Sequence, residues 1–334
     1  MIVEVLLIGG LTVSLIAMRL GRRYAARRRE RFITQWQTAI FESLVQPDVE
    51  LPRIAARDWP IFLGYWNRLH LIMRGDASEQ LNALARRMGM VPVAMRGLNH
   101  PSARSRLMAI MALGHLKEPT AWPALERMLT SRLPVLSLAA ARSLMQINPV
   151  RALPRVIEVL PRHREWPEDK VLHLLSEAGK EASCRAIAEA ALHAPPDDAV
   201  MLIHLLTALG ATGVEPLLRR LFDGPVSDAV AEAWLEATND PMDVSRVIAY
   251  LSAENWRLRA KACKALSRLA MPGDETHLIA RLADPVWWVR EHAAQALVDL
   301  PFLDGEQLRR MQVHLTDPYA KDMLAQKRAE KALS

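Results

Sequence analysis

The run DPVWWVREHAAQAL (residues 284–297) returns along the chain at a fixed step, and that period limits the possible folds more than any other feature. Thirty-one residues earlier stands AENWRLRAKACKAL (253–266), which sets Trp256 against Trp287, Arg259 against Arg290, Ala262 against Ala293 and Leu266 against Leu297. HPSARSRLMAIMAL (100–113) puts Arg106, Ala109 and Leu113 in the same columns, and Ala140 and Leu144 follow 31 residues on. Degenerate copies end at Leu175 and near Leu206 or Leu209, and a further one, SDAVAEAWL, ends at Leu235. The step into that last copy is not a clean 31, which predicts one short or irregular unit there.

Each copy leads through a turn into a second apolar run, such as EPTAWPALERML (118–129), GATGVEPLLRRL (210–221) or DPMDVSRVIAYL (240–251). The unit is therefore helix, turn, helix, turn. Asp284-Pro285 predicts an N-cap carboxylate followed by a proline at the first helical position, where the missing N–H costs nothing. Alanines allow close helix approach, and apolar residues at i, i+3, i+4 and i+7 need one face buried. No single unit can cover that face, so neighbours must stack.

The chain resembles the HEAT-repeat family in its bacterial short-repeat form, the form shared by phycobilin lyases. Asp284, Pro285, Val289, Arg290, Ala293, Ala294 and Leu297 carry the resemblance, echoed by Leu258, Arg259, Ala262 and Leu266 and by Arg106, Ala109 and Leu113. The resemblance implies an all-α, right-handed α-solenoid over about residues 95–320, with a concave surface lined by the second helices and a binding function. It also implies that Arg106, Arg259 and Arg290 tie adjacent repeats together. The expected groove candidates are Arg127, Arg155, Glu158, Arg219, Arg220, Arg246, Tyr250, His277 and Arg281. An arginine-rich groove suits an acidic protein segment. Trp287 shares the column of Trp256 and is expected to pack between repeats; Trp288, in the column of Arg257, is expected to be exposed and to touch a partner.

Residues 32–94 do not fit the period and read as a helical N-terminal cap. Phe32, Ile33, Trp36, Ile40 and Leu44 lie at helical spacing, and Trp59, Phe62, Tyr65 and Trp66 are expected to pack in the cap rather than form a docking surface. Residues 321–334 read as a helical tail.

Residues 1–18, MIVEVLLIGGLTVSLIAM, hold one charge, Glu4. As a helix they would span about 27 Å, near the thickness of a bilayer core. Arg19, Arg22, Arg23, Arg27, Arg28, Arg29 and Arg31 follow, with Glu30 as the single acid. A cleaved signal would carry its positive charge before the apolar run, so the segment reads as a single-pass anchor. The positive-inside rule puts the N-terminus outside and the repeats in the cytoplasm, and the arginines are expected at anionic lipid headgroups.

The arginine block also accounts for the net charge of +6. Of 43 basic and 37 acidic side chains in all, removing the seven arginines and Glu30 leaves 36 of each. A neutral repeat region argues against a groove that tracks phosphates. Cys184 and Cys263 read as buried hydrophobes of a reducing compartment. There is no G-x-x-x-x-G-K-[ST], G-x-G-x-x-G, G-x-S-x-G, C-x-x-C or H-E-x-x-H. His173 and Glu177, one turn apart, are too few for a metal site. No His-Glu dipeptide of the deoxyhypusine hydroxylase kind occurs.

The expectation is thus a non-enzymatic, cofactor-free scaffold at the bacterial inner membrane. It would bind a protein subunit of a membrane machine for envelope-polysaccharide synthesis, secretion or signalling, with neither nucleic acid nor a small-molecule substrate as partner. A lyase-type HEAT enzyme or subunit, and a HEAT-type nucleic-acid binder, are the alternatives.

Overall fold

A computed structural model describes Arg19, Tyr24, residues 26–43, Gln46 and residues 50–333. The expected membrane span, with Leu44, Arg22 and Arg23, lies outside the described residues. Among the described residues there is no strand, and no helix is long and apolar enough to cross a membrane. The chain divides into two compact units, one ending at Ala152 and the other starting at Leu153. The division falls inside the stretch expected to form one continuous solenoid.

The first unit begins with helix α1 (26–43), whose Trp36 and Ile40, one turn apart, are buried. It is followed by α2 (Trp59–Ile72), α3 (Asp76–Arg87), α4 (Met90–Gly97), α5 (Ala103–His115), α6 (Trp122–Met128) and α7 (Pro134–Ile147). Trp36 meets Phe62 edge-on at 4.8 Å. Phe62, Tyr65 and Trp66 are buried and Trp59 half-buried, so the cap aromatics form a core as expected. Helix α2 lies on α5, the first helix of the first repeat. Asn67 Nδ2 donates to the Met108 carbonyl, and Asn82 Nδ2 to that of His115, both at 2.9 Å. Helices α5 and α7 approach so closely that a Cβ on Gly114 would sit 2.5 Å from Ser143 Oγ.

The division between the units falls within α8 (Pro149–Val159). The second unit goes on with α9 (Glu168–Glu177), α10 (Lys180–His193), α11 (Pro196–Ala208), α12 (Glu215–Arg219), α13 (Asp228–Ala237), α14 (Val244–Tyr250), α15 (Trp256–Leu269), α16 (Glu275–Arg281), α17 (Trp287–Asp299), α18 (Gly305–His314) and α19 (Pro318–Leu333). First helices stack in series, α11 on α13, α13 on α15, α15 on α17 and α17 on α19. The short second helices α14, α16 and α18 each pack on the first helix that follows. The leucine column explains the stack: Leu113, Leu144, Leu175, Leu206, Leu235, Leu266 and Leu297 are all at most 1% exposed. The irregular step lies where expected. There α12 has only five residues and gives way to a 3-10 turn, Arg220–Asp223. Helix α19, which takes in residues 321–333 of the stretch read as a helical tail, packs on α17 and α18.

The Asp-Pro signal needs correction. Helix α17 starts at Trp287, with Val286 at the N-cap. Asp284 lies in the turn before it, where its Oδ1 accepts from the Val286 N–H at 3.0 Å. Its carboxylate is committed to Arg259, as described next.

Candidate functional site

Helix ends leave carbonyls without partners, and arginine is long enough to reach them from a neighbouring element. The second unit uses arginine in this way repeatedly. Arg259 Nε and Nη2 donate to Asp284 Oδ2 and Oδ1 at 2.8 and 2.9 Å, and its Nη1 donates to the Ala253 and Glu254 carbonyls. Arg290 donates to the Asp284 carbonyl and lies 3.5 Å from Asp317. Arg268 Nη2 covers the end of α13 by donating to the carbonyls of Leu235, Glu236 and Thr238. The structural role expected of Arg259 and Arg290 is met. Arg106 departs from it: its Nε is buried without a hydrogen-bond partner.

The same habit gives several of the expected groove residues partners within the chain. Arg219 binds Asp243 at 2.7 Å and also Asp240, and the Asp243 hydrogen bond is the main cause that raises its pKa. Arg246 lies over the Phe222 ring at 4.4 Å and donates to the Arg219 carbonyl. Arg281 Nη1 donates to the Leu251 carbonyl at 3.0 Å, across 30 residues. Tyr250 is half-buried against Phe222 and Trp234, and burial raises its pKa. Arg219, Arg246, Arg281 and Tyr250 are therefore engaged within the fold and only partly exposed. Arg155 and Glu158 are exposed and pair with each other at 2.5 Å. Arg127, in the first unit, is exposed and donates to the Pro123 carbonyl one turn back. Arg220 and His277 are exposed.

Trp288 is 53% exposed, as expected, and Trp287, expected to pack between repeats, is equally open at 54%. The two rings meet edge-on at 4.8 Å. Both lie in the first turn of α17. The same edge carries Trp256 at the start of α15 and Tyr319 at the start of α19, both exposed. The starts of three successive stacked first helices thus carry four exposed aromatic side chains. The repeat columns hold the signal for these four, since Trp256 and Trp287, and Trp288 and Tyr319, are 31 residues apart.

Of the arginine block, Arg19, Arg27, Arg29 and Arg31 are exposed. Arg28 is half-buried and pairs with Asp58, so it is a tie between α1 and the turn before α2 rather than a free lipid contact.

Two open cavities lie in the second unit. One, of about 380 Å³, is lined by His163, Arg164, Trp166, Glu168, Asp197 and His204, among others. There His163 stacks on Trp166 at 4.7 Å and bonds Glu165 at 2.8 Å, which holds the Glu165 carboxyl below its usual range. The other, of about 480 Å³, lies between α8, α10 and the start of α11. His173 sits 3.2 Å from Glu177 on α9, and no group of three metal-binding side chains occurs among the described residues. Cys184 and Cys263 are buried and free, and burial pushes the Cys263 thiol up to about 12.

Comparison with known proteins agrees with the repeat. The sequence model for HEAT repeats matches residues 91–170 and 214–298. The unmatched stretch between them holds the degenerate copies. No curated protein matches the chain. Among solved structures, the complex of CpcE and CpcF of phycocyanin lyase from Nostoc sp. PCC7120 is similar at 16% identity over 84% of this chain and 97% of that one, with a TM-score of 0.27. An engineered protein is similar at 18% identity over 88% of this chain and 78% of its own, also with a TM-score of 0.27. Residues 91–170 and 214–298 are HEAT repeats, set in a chain whose described residues form helices and no strand.

Proposed function

We propose that the chain is a protein-binding scaffold held at the cytoplasmic face of a bacterial inner membrane, where it recruits a subunit of a membrane-associated complex. The observation that carries the binding reading is the aromatic edge of Trp256, Trp287, Trp288 and Tyr319. Exposed tryptophan is rare on a surface with no partner and enriched at the centre of protein interfaces. Support for the membrane reading comes from the sequence: an 18-residue stretch with one charge, then seven arginines and one acid.

Crosslinking in intact cells, detergent extraction and mass spectrometry test the binding reading. The wild type is compared with a Trp287→Ala/Trp288→Ala double variant. The reading predicts one membrane-complex subunit captured by the wild type and lost with the variant. Capture of nothing by either chain overturns it. A reporter active only in the cytoplasm, fused to the C-terminus, tests the orientation; a silent fusion overturns that part.

A further inference from the structure

The cleft between α8, α10 and the start of α11 differs in charge from the groove expected from the sequence. Its floor is apolar, formed by Ile157, Ala186, Ala190 and Leu202 between Pro154 and Pro161. Helix α10 turns Cys184, Ile187, Ala188 and Ala191 into the core, which leaves Ala186 and Ala190, one turn apart, facing the cleft. Their small side chains keep it open. Pro154 and Pro161 have no N–H and a fixed φ, so that wall is apolar and preformed. From residue 186 to residue 194 the α10 side runs for about 12 Å at 1.5 Å per residue, longer than a single amine could cover.

The rim is acidic. Glu158, Glu189 and Asp198 line it together with His193, and no lysine or arginine does. Glu158 is held by Arg155 and Asp198 by Arg164, at 2.5 and 3.1 Å. Glu189 is exposed and has no ion-pair or hydrogen-bond partner among the described residues. A free carboxylate at the edge of an apolar, ligand-sized cleft is complementary to a cation attached to an apolar group.

We propose that this cleft docks a segment of a partner protein that presents an arginine or lysine beside a bulky apolar side chain. The apolar group fills the space over Ala186 and Ala190, and the cation pairs with Glu189 without displacing an existing ion pair. The proposal rests on the scaffold reading and reverses the charge of the partner expected from the arginine count.

The test pans the full-length chain in detergent against a phage-displayed random-peptide library, then measures the recovered peptides by fluorescence anisotropy. The variants are Glu189→Lys, which reverses the free charge, Glu189→Gln, which removes it, and Ala190→Trp, which fills the cleft. Glu189 is exposed and Ala190 half-exposed, so these changes leave the fold in place, and circular dichroism checks that they do. The expected result is a consensus of Arg or Lys next to Leu, Ile or Phe. Binding then weakens about tenfold or more with Glu189→Lys and Ala190→Trp, and less with Glu189→Gln. Recovery of no peptide, an acidic consensus, or binding unchanged in Glu189→Lys overturns the proposal. So does displacement by arginine amide at the concentration of the peptide itself, which would make this a small-cation site. The cell crosslinking separates the two readings: a subunit captured equally by wild type and Glu189→Lys retains the scaffold and removes the cleft.

Discussion

Arg259 grips Asp284 of the following repeat through two parallel hydrogen bonds, Nε to Oδ2 at 2.8 Å and Nη2 to Oδ1 at 2.9 Å, and the Asp284 side chain is only 1% exposed. Such a paired fork is the strongest geometry an arginine and a carboxylate can adopt. Burial by itself would raise the Asp284 carboxyl. The Arg259 hydrogen bond, the Val286 N–H and the Arg259 and Arg281 charges outweigh it and hold the group below its usual range.

Removing Arg259 leaves a buried carboxylate without its partner. Arg259→Ala is expected to cost about 3–5 kcal/mol near neutral pH, read by thermal or urea unfolding. Because the folded pKa of Asp284 is depressed, its contribution is present above the unfolded value and lost as pH falls through the folded one. The difference between wild type and variant therefore shrinks in acid. A loss that did not change with pH would place the effect in packing alone.

His70 and His115 stack in the first unit with ring centroids 4.7 Å apart and planes 6° apart, beside Trp66, Ser78 and Asn82. Burial lowers both to about 4; the neighbouring Asn82 side chain opposes this at His70, while the charges of His70 and Arg142 add to it at His115. Both are neutral in the fold at pH 7, and the unfolded chain takes up their protons first, near pH 6.5. Stability is full above pH 6.5 and falls as pH drops toward 4. Melting curves across that range check this, and a His70→Phe/His115→Phe variant is expected to lose part of the pH dependence.

Gly114 has no room for a side chain. An added Cβ would lie 2.5 Å from Ser143 Oγ and 2.6 Å from Gln146 Oε1. Gly114→Ala is expected to destabilise the chain by about 1–3 kcal/mol by forcing α5 and α7 apart, despite alanine's better helix propensity. An unchanged melting temperature would show that the two helices yield freely.

Two kinds of tryptophan separate stability from binding. Trp234 is 1% exposed, and Trp234→Ala is expected to cost about 3–5 kcal/mol. Trp287→Ala and Trp288→Ala are expected to stay within about 0.5 kcal/mol of wild type, since half of each ring already faces water. A large loss from either would assign it to packing instead of partner contact.

The helical repeat could be read from residue order because each unit encodes its own burial: a leucine every 31 residues, with alanines on the same face, allows only stacked helix pairs. The short unit before Leu235 was readable for the same reason, as a missing step. Which way an arginine reaches was not readable. Arg219, Arg246 and Arg281 recur on second helices whether they face an open groove or turn back to a carboxylate, ring or carbonyl 21 to 30 residues away. Only the packing of neighbouring helices sets that direction, because the acceptors come into reach only once the repeats have stacked. Trp287 was misplaced for a related reason. Helical spacing says which residues share a face, but in the first turn of α17 only Val289 is turned fully into the core, and Trp287 and Trp288 each stay about half exposed.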